Sequence, residues 1–79
     1  LTGGRQAISV VHDDRAGSIA NVANCLAMHS VNIGHMEVSR IERGLTALMV
    51  IEVDQNIEDR VLQQISLIPN INKVSKINT

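Results

Sequence analysis

The chain has 79 residues, enough for one small domain near the lower size at which a single core is stable without disulfides or a metal. Its formal net charge is -1, its seven Lys and Arg are scattered singly and it has no aromatic residue, so neither a nucleic-acid partner nor base stacking is expected. Cys25 is the sole cysteine, which excludes an internal disulfide and favours a cytoplasmic location, and no long apolar run predicts membrane insertion.

The first predicted element is a strand from Arg5 to His12. The segment is short, bounded by glycines, and β-branched and apolar at Ile8, Val10 and Val11. These properties are typical of a strand buried in a sheet.

A helix is predicted to begin near Arg15, because the Asp13 and Asp14 carboxylates could accept hydrogen bonds from the free N–H groups of its first turn. Apolar residues at i, i+3, i+4 and i+7 predict its inward face: Ile19, Val22, Ala23 and Leu26. The predicted outer face carries Ser18, Asn21, Asn24 and Met28. No Lys, Arg, Asp or Glu occurs between Arg15 and Glu37, which indicates that this helix meets another protein surface.

Two antiparallel strands are predicted next. Residues Val31 to Ile41 form the second strand, and its alternation changes phase around Gly34, which predicts a β-bulge there. The segment Glu42-Arg43-Gly44 predicts a hairpin turn into a third strand, from Leu45 to about Val53.

The second helix is predicted to have Asn56 as its cap, with Glu58 and Asp59 in its first turn and Pro69 beyond its end. Its inward stripe comprises Ile57, Val61, Ile65 and Ile68. A last strand is predicted from Ile71 to Ile77.

The order strand, helix, strand, strand, helix, strand predicts an α+β, ferredoxin-like fold, with a four-stranded antiparallel sheet and two helices on one face. We expect one domain over 1–79, with a core over about 5–78, as a fragment of a larger protein. The first and third strands are apolar on both faces, which predicts that self-association or a larger protein covers the second face.

Several residues allow two interpretations. Asp13 and Asp14 are expected to cap the helix rather than contact a ligand, and Gly17 could serve packing, a turn or a ligand. His12 could donate to a ligand carboxylate or be a solvated strand-end histidine. A metal site at Cys25 and His29, with His35 as a third ligand, is not expected, because structural sites need four defined ligands. Cys25 is expected to pack as a small apolar residue.

The sequence HDDRAGSI in the first loop, followed by Val-Asn-Ile at the second strand, resembles the ACT domain family. The resemblance rests on Arg15-x-Gly17 and the Asn32-Ile33 pair. It implies a regulatory domain without catalytic residues, which pairs with a second copy through the first helix and adjoining strands and binds a small amino acid between copies. The effector-binding residues that it implies are His12, Asp13, Asp14, Gly17, Ser18, Ile19, Asn32 and Ile33.

The chemistry of these residues suits an amino acid. A helix N-terminus with a glycine can approach an α-carboxylate closely, and the oxygens of Asp13, Asp14 and Asn32 can accept from an ammonium group. Asp14 and Ala16 stand where serine-binding relatives often have Asn and Pro.

Within the family, HMEVSR and LMVIEVDQ resemble the C-terminal domains of the beta chains of bacterial iron-sulfur-dependent L-serine dehydratases. This resemblance implies a lyase parent, L-serine as effector, and an alpha chain that carries the 4Fe-4S cluster. The alternatives are the ACT domain of phosphoglycerate dehydrogenase and a purely structural assembly domain.

Overall fold

The computed structural model describes residues 6–42 and 44–77. Six elements follow one another as β1 (Gln6–Asp13), α1 (Ser18–Met28), β2 (Ile33–Glu42), β3 (Thr46–Val53), α2 (Asp59–Ser66) and β4 (Ile71–Ile77). The strands form one antiparallel sheet in the order β2-β3-β1-β4. The predicted ferredoxin-like fold is therefore confirmed.

Two helix starts differ from their predictions. The first helix begins at Ser18 instead of Arg15, with Gly17 as its N-cap, and the N-cap of α2 is Glu58 instead of Asn56. Within the part of the chain that the structure describes, neither helix has a side-chain capping hydrogen bond. The predicted strands agree with the structure to within about two residues; the predicted positions Arg5 and Arg43 lie outside the described residues.

The bulge predicted at Gly34 is confirmed. The register of β2 against β3 shifts between Ile33 and His35, so Gly34 is the extra residue. A Cβ at Gly34 would lie 3.2 Å from Asp54 Oδ1, which shows how closely the chain passes the end of β3. A second shift, between Arg40 and Glu42, was not predicted.

The core lies between the sheet and the two helices. Alternate residues of the central strands are fully buried there, namely Ile8 and Val10 of β1 and Met49, Ile51 and Val53 of β3. They pack with Val22 and Leu26 of α1 and with Ile57, Val61 and Ile65 of the α2 segment. The predicted α2 stripe is thus confirmed, with Ile68 packed partly buried against the same cluster.

The inward face of α1 differs from its prediction at the first turn. Ser18 is buried, at 1% exposure, whereas Ile19 is 42% exposed. The stripe that packs inward is therefore Ser18, Val22 and Leu26, spaced by four residues from the true helix start.

The opposite face of the sheet carries Val11, Leu48 and Val50, which are half-buried. Both central strands are therefore apolar on both faces, as predicted. Among residues 6–42 and 44–77, neither helix has the length and apolarity that crossing a lipid bilayer requires.

Candidate functional site

The loop between β1 and α1 is organised around one backbone carbonyl. The oxygen of Asp13 accepts from the Arg15 backbone N–H at 2.8 Å, from His12 Nδ1 at 2.9 Å and from Ser18 Oγ at 3.2 Å. Gly17 then enters the helix with φ of 91°, a left-handed conformation that favours glycine. These hydrogen bonds hold the N-terminus of α1 close to the C-terminal end of β1.

His12 is 2% exposed, so the alternative of a solvated strand-end histidine is wrong. Because Nδ1 donates to the Asp13 carbonyl, the neutral ring presents Nε2 as an acceptor. This buried Nε2 has no hydrogen-bond partner among the residues that the structure describes. A ligand carboxylate could contact the His12 ring only at Nε2, because Nδ1 already donates to the Asp13 carbonyl.

Neither predicted capping carboxylate caps α1. Asp13 Oδ1 accepts from Asn72 Nδ2 of β4 at 3.1 Å. Asp14 Oδ2 accepts from Arg40 Nε at 3.0 Å and from the Gly44 backbone N–H at 3.3 Å. The two carboxylates instead attach the first loop to β4 and to the β2–β3 hairpin.

Asn32, before the start of β2, belongs to a second polar cluster. Its Nδ2 donates to Asp54 Oδ2 at 2.5 Å and its backbone N–H donates to Gln55 Oε1 at 3.0 Å. Because Asn32 Nδ2 already donates to Asp54, Oδ1 is the atom of this exposed amide that could accept a hydrogen bond from a ligand. Asp54 and Gln55 were missed from sequence, although the antiparallel pairing of β2 with β3 places them next to Asn32.

The two halves of the predicted site lie at opposite ends of the sheet. His12 is level with Ala47 of β3, whereas Ile33, which is half-buried, is level with Val53. Six residues of strand between these levels correspond to about 20 Å. One copy therefore brings together His12, Asp13, Asp14, Gly17, Ser18 and Ile19 but leaves Asn32 and Ile33 apart from them.

The surface between α1 and β2 is apolar, and the part of it that α1 contributes has no charged residue. By helical spacing, Ile19, Ala23 and Ala27 share the side of α1 opposite to Asn21 and Cys25, which line a groove towards α2. This side therefore faces β2, the edge strand, where Val38 is 41% exposed. Small apolar residues there permit close approach of another helix.

The three residues considered from sequence for a metal site, Cys25, His29 and His35, have different surroundings. Burial raises the pKa of the Cys25 thiol, so it remains protonated at neutral pH and is not activated as a nucleophile. His35 lies on β2 and contacts Glu37 Oε1 at 3.1 Å, away from Cys25 and His29. Within the described ranges, no group of three or more His, Cys, Asp and Glu could hold a metal ion.

Comparisons with known proteins identify the family of this chain. The family model of the ACT domain matches residues 7–66. The probable L-serine dehydratase beta chain of Bacillus subtilis is 57% identical over 77 residues, which are 98% of this chain and 35% of that protein. The D-3-phosphoglycerate dehydrogenase of Methanocaldococcus jannaschii is 36% identical over 69 residues, 87% of this chain and 13% of that protein.

Among solved structures, the ACT domain of GTP pyrophosphokinase from Chlorobium tepidum matches with a TM-score of 0.76 at 11% identity. The match covers 96% of this chain and 100% of that one, and it supports the fold alone. The chain spans only 35% and 13% of the two curated relatives, so each of them is much longer than the described domain.

Proposed function

The chain belongs to the ACT domain family, and from that premise we propose that it is the regulatory domain of an L-serine dehydratase, which binds a small amino acid between two copies. L-Serine is the first ligand to test. The observation that carries the proposal is the separation of the two polar half-sites, the first loop and the Asn32 cluster, at opposite ends of one sheet.

Pairing of two copies would join these half-sites. If two β2 edges align antiparallel about a two-fold axis, the start of one β2 lies beside the end of the other. The end of β2 contacts the first loop through Arg40 and Asp14. The Asn32 cluster of one copy would then face the first loop of its partner, and the pair would contain two equivalent sites.

The surface between α1 and β2 suits such pairing. Ile19 and Val38 are large apolar residues that are 42% and 41% exposed. The small side chains of Ala23 and Ala27 would let a second helix approach α1 closely. A charged side chain on α1 would be desolvated between two helices, at considerable cost. This explains why α1 carries no formal charge.

Each half-site has the chemistry for one end of an amino acid. The first turn of α1 offers backbone N–H groups and the positive end of the helix dipole to an α-carboxylate. Asn32 Oδ1 can accept from an ammonium group, and the Asp54 carboxylate beside it adds negative charge. Asp13 and Asp14 are already hydrogen-bonded within the chain, so we assign the ammonium to the Asn32 cluster.

A purely structural assembly domain is the second candidate. It is favoured by the first loop itself, in which the side chains of Asp13, Asp14 and Ser18 have partners within the chain. Identity favours a dehydratase over a dehydrogenase as parent, at 57% against 36%. A 4Fe-4S cluster does not fit this chain, since a cluster needs about four thiolates and Cys25 is the sole cysteine; we propose that the alpha chain of the parent binds it.

Calorimetric titration with L-serine tests the proposal, with D-serine as the control and sedimentation on the same samples. We expect saturable binding of L-serine with one site per chain, in a dimer. A dimer that binds none of the twenty amino acids would support the assembly role instead. A monomer that binds serine would contradict the site between copies.

A further inference from the structure

A groove separates α1 from α2 on the side of α1 that faces away from the proposed pairing surface. Its volume is about 420 Å³. Cys25, Met28 and His29 line one wall, and Gln64, Ile68 and Pro69 line the other. No Lys, Arg, Asp or Glu is among the described residues that line it, so the groove has no carboxylate to act as a counter-ion for a cation.

Three residues with metal-binding side chains line this groove: a thiol, a thioether and an imidazole. Cys25 lies three residues before Met28 and four before His29, so each of these two residues is its neighbour on the helix surface, whereas Met28 and His29 are adjacent in sequence. All three line the same groove, whereas His35, the third ligand considered from sequence, does not.

The His29 ring is already oriented as in many metal sites. Its Nδ1 lies 2.9 Å from the Cys25 carbonyl oxygen, which can only accept, so Nδ1 carries the hydrogen. The lone pair of Nε2 is then free for a metal. Metal-bound histidines commonly donate their other ring N–H to a backbone carbonyl or a carboxylate in this way.

The Met28 thioether is accessible. Its residue is 75% exposed, and Asn24 Nδ2 donates to Sδ at 3.7 Å. This weak contact holds the sulfur along the helix and can be displaced by a stronger ligand. An exposed methionine beside a cysteine and a histidine is not explained by core packing.

We propose that Cys25, Met28 and His29 form a binding site for Cu(I). Soft thiolate and thioether sulfurs select this ion, and three ligands suit it better than Zn(II), whose structural sites have four. On binding, a Cu–S bond forms, the thiol S–H bond breaks and the proton passes to solvent. Cu(I) with one thiolate is neutral, whereas Zn(II) would leave a positive charge in a groove without carboxylates.

Anaerobic competition with the coloured Cu(I)–bicinchoninate complex tests this site in the 79-residue chain. We expect the chain to withdraw one Cu(I) per copy, measured as loss of absorbance of that complex. Cys25→Ser should abolish withdrawal, and Met28→Leu and His29→Gln should each weaken affinity by about tenfold or more. His35→Gln is the matched histidine control and should leave affinity unchanged.

Circular dichroism of each variant shows whether it is folded. Unchanged affinity in both Met28→Leu and His29→Gln would mean that a lone thiol binds the ion, which would overturn the proposed site. One Cu(I) for every two chains would overturn it as well, because Cys25 residues of two copies would then bridge the metal. Equal binding of Zn(II), measured by competition with a zinc indicator, would contradict the choice of Cu(I). The site does not depend on the proposed function, and serine binding is expected to be unaffected by Met28→Leu.

Discussion

His12 and Ser18 donate to the same acceptor, the carbonyl oxygen of Asp13, from Nδ1 at 2.9 Å and from Oγ at 3.2 Å. Both side chains are buried, although both are polar. The loop before α1 is therefore held from both ends, by His12 in the preceding strand and by Ser18 in the first helical turn, and the N-cap residue Gly17 has no side chain to cap the helix.

Replacement of Ser18 by alanine tests the importance of this contact. We expect Ser18→Ala to lower the free energy of unfolding by about 1 kcal/mol, the usual contribution of one buried hydrogen bond. Ser66→Ala is the matched control, because Ser66 Oγ donates to the Gln63 carbonyl at an exposed position. Urea denaturation measures the free energy of unfolding of both variants. An equal loss in the two would show that the Ser18 hydrogen bond stabilises the fold no more than the exposed Ser66 bond does.

The left-handed conformation of Gly17 predicts a difference between two substitutions. A Cβ at Gly17 would meet no atom within 4 Å, so any cost arises from the backbone. We expect Gly17→Ala to destabilise by about 1–2 kcal/mol and Gly17→Asn by less, since asparagine tolerates this conformation. Thermal melts compare the two; identical melting temperatures would contradict the assigned φ of 91° as the cause.

The proposed pairing surface between α1 and β2 predicts that the oligomeric state depends on Ala27, which is exposed in the single chain. We expect Ala27→Lys to remain folded but to sediment as a monomer, because a charge would be desolvated between two copies of α1. Gln63→Lys, on the exposed face of α2, should stay dimeric. A dimeric Ala27→Lys variant would mean that pairing uses another surface.

The Asn32 cluster predicts that two residues act together on effector affinity. We expect Asn32→Ala and Asp54→Ala each to weaken L-serine binding about tenfold or more, the effect of losing a charge-assisted hydrogen bond. Neither should change the melting temperature much, because both residues are exposed. Gln63→Ala serves as the control in the calorimeter, and unchanged affinity in Asn32→Ala would remove this cluster from the site.

The Asp14–Arg40 pair predicts a small, salt-sensitive coupling. The Arg40 side chain is 60% exposed, so a double-mutant cycle of Asp14→Asn and Arg40→Gln should give less than about 1 kcal/mol. The coupling should fall further in 1 M salt, where charges are screened within about 3 Å. Coupling that persists undiminished in 1 M salt would contradict an exposed, screened ion pair between Asp14 and Arg40.

The fold could be predicted from sequence because hydrophobic spacing is a local property. The alternation of β1 and β3, the α2 stripe and the phase change at Gly34 all depend on neighbours within a few residues, and the structure agrees with each. The burial of Ser18 could not be predicted in this way, because it depends on a hydrogen bond to the Asp13 carbonyl at the end of β1.

The partners of the site residues were beyond prediction for a similar reason. Aspartate is a residue type that often caps helices, but the carboxylates of Asp13 and Asp14 instead accept hydrogen bonds from Asn72 and Arg40, which are remote along the chain. Asp54 joined Asn32 only once the register of β2 and β3 was known. Sequence identified which residues are polar near a helix start, and tertiary contacts decided what each of them binds.

The distance of about 20 Å between the first loop and Asn32 has a consequence for how such a domain would respond in a cell. The occupancy of a site that forms only when two copies associate depends on two concentrations, that of the ligand and that of the protein itself. At low expression the domain would be insensitive to its amino acid, and at high expression the threshold would drop. If the proposed site is completed by pairing, the ligand concentration to which the domain responds would depend partly on how much of the protein is made.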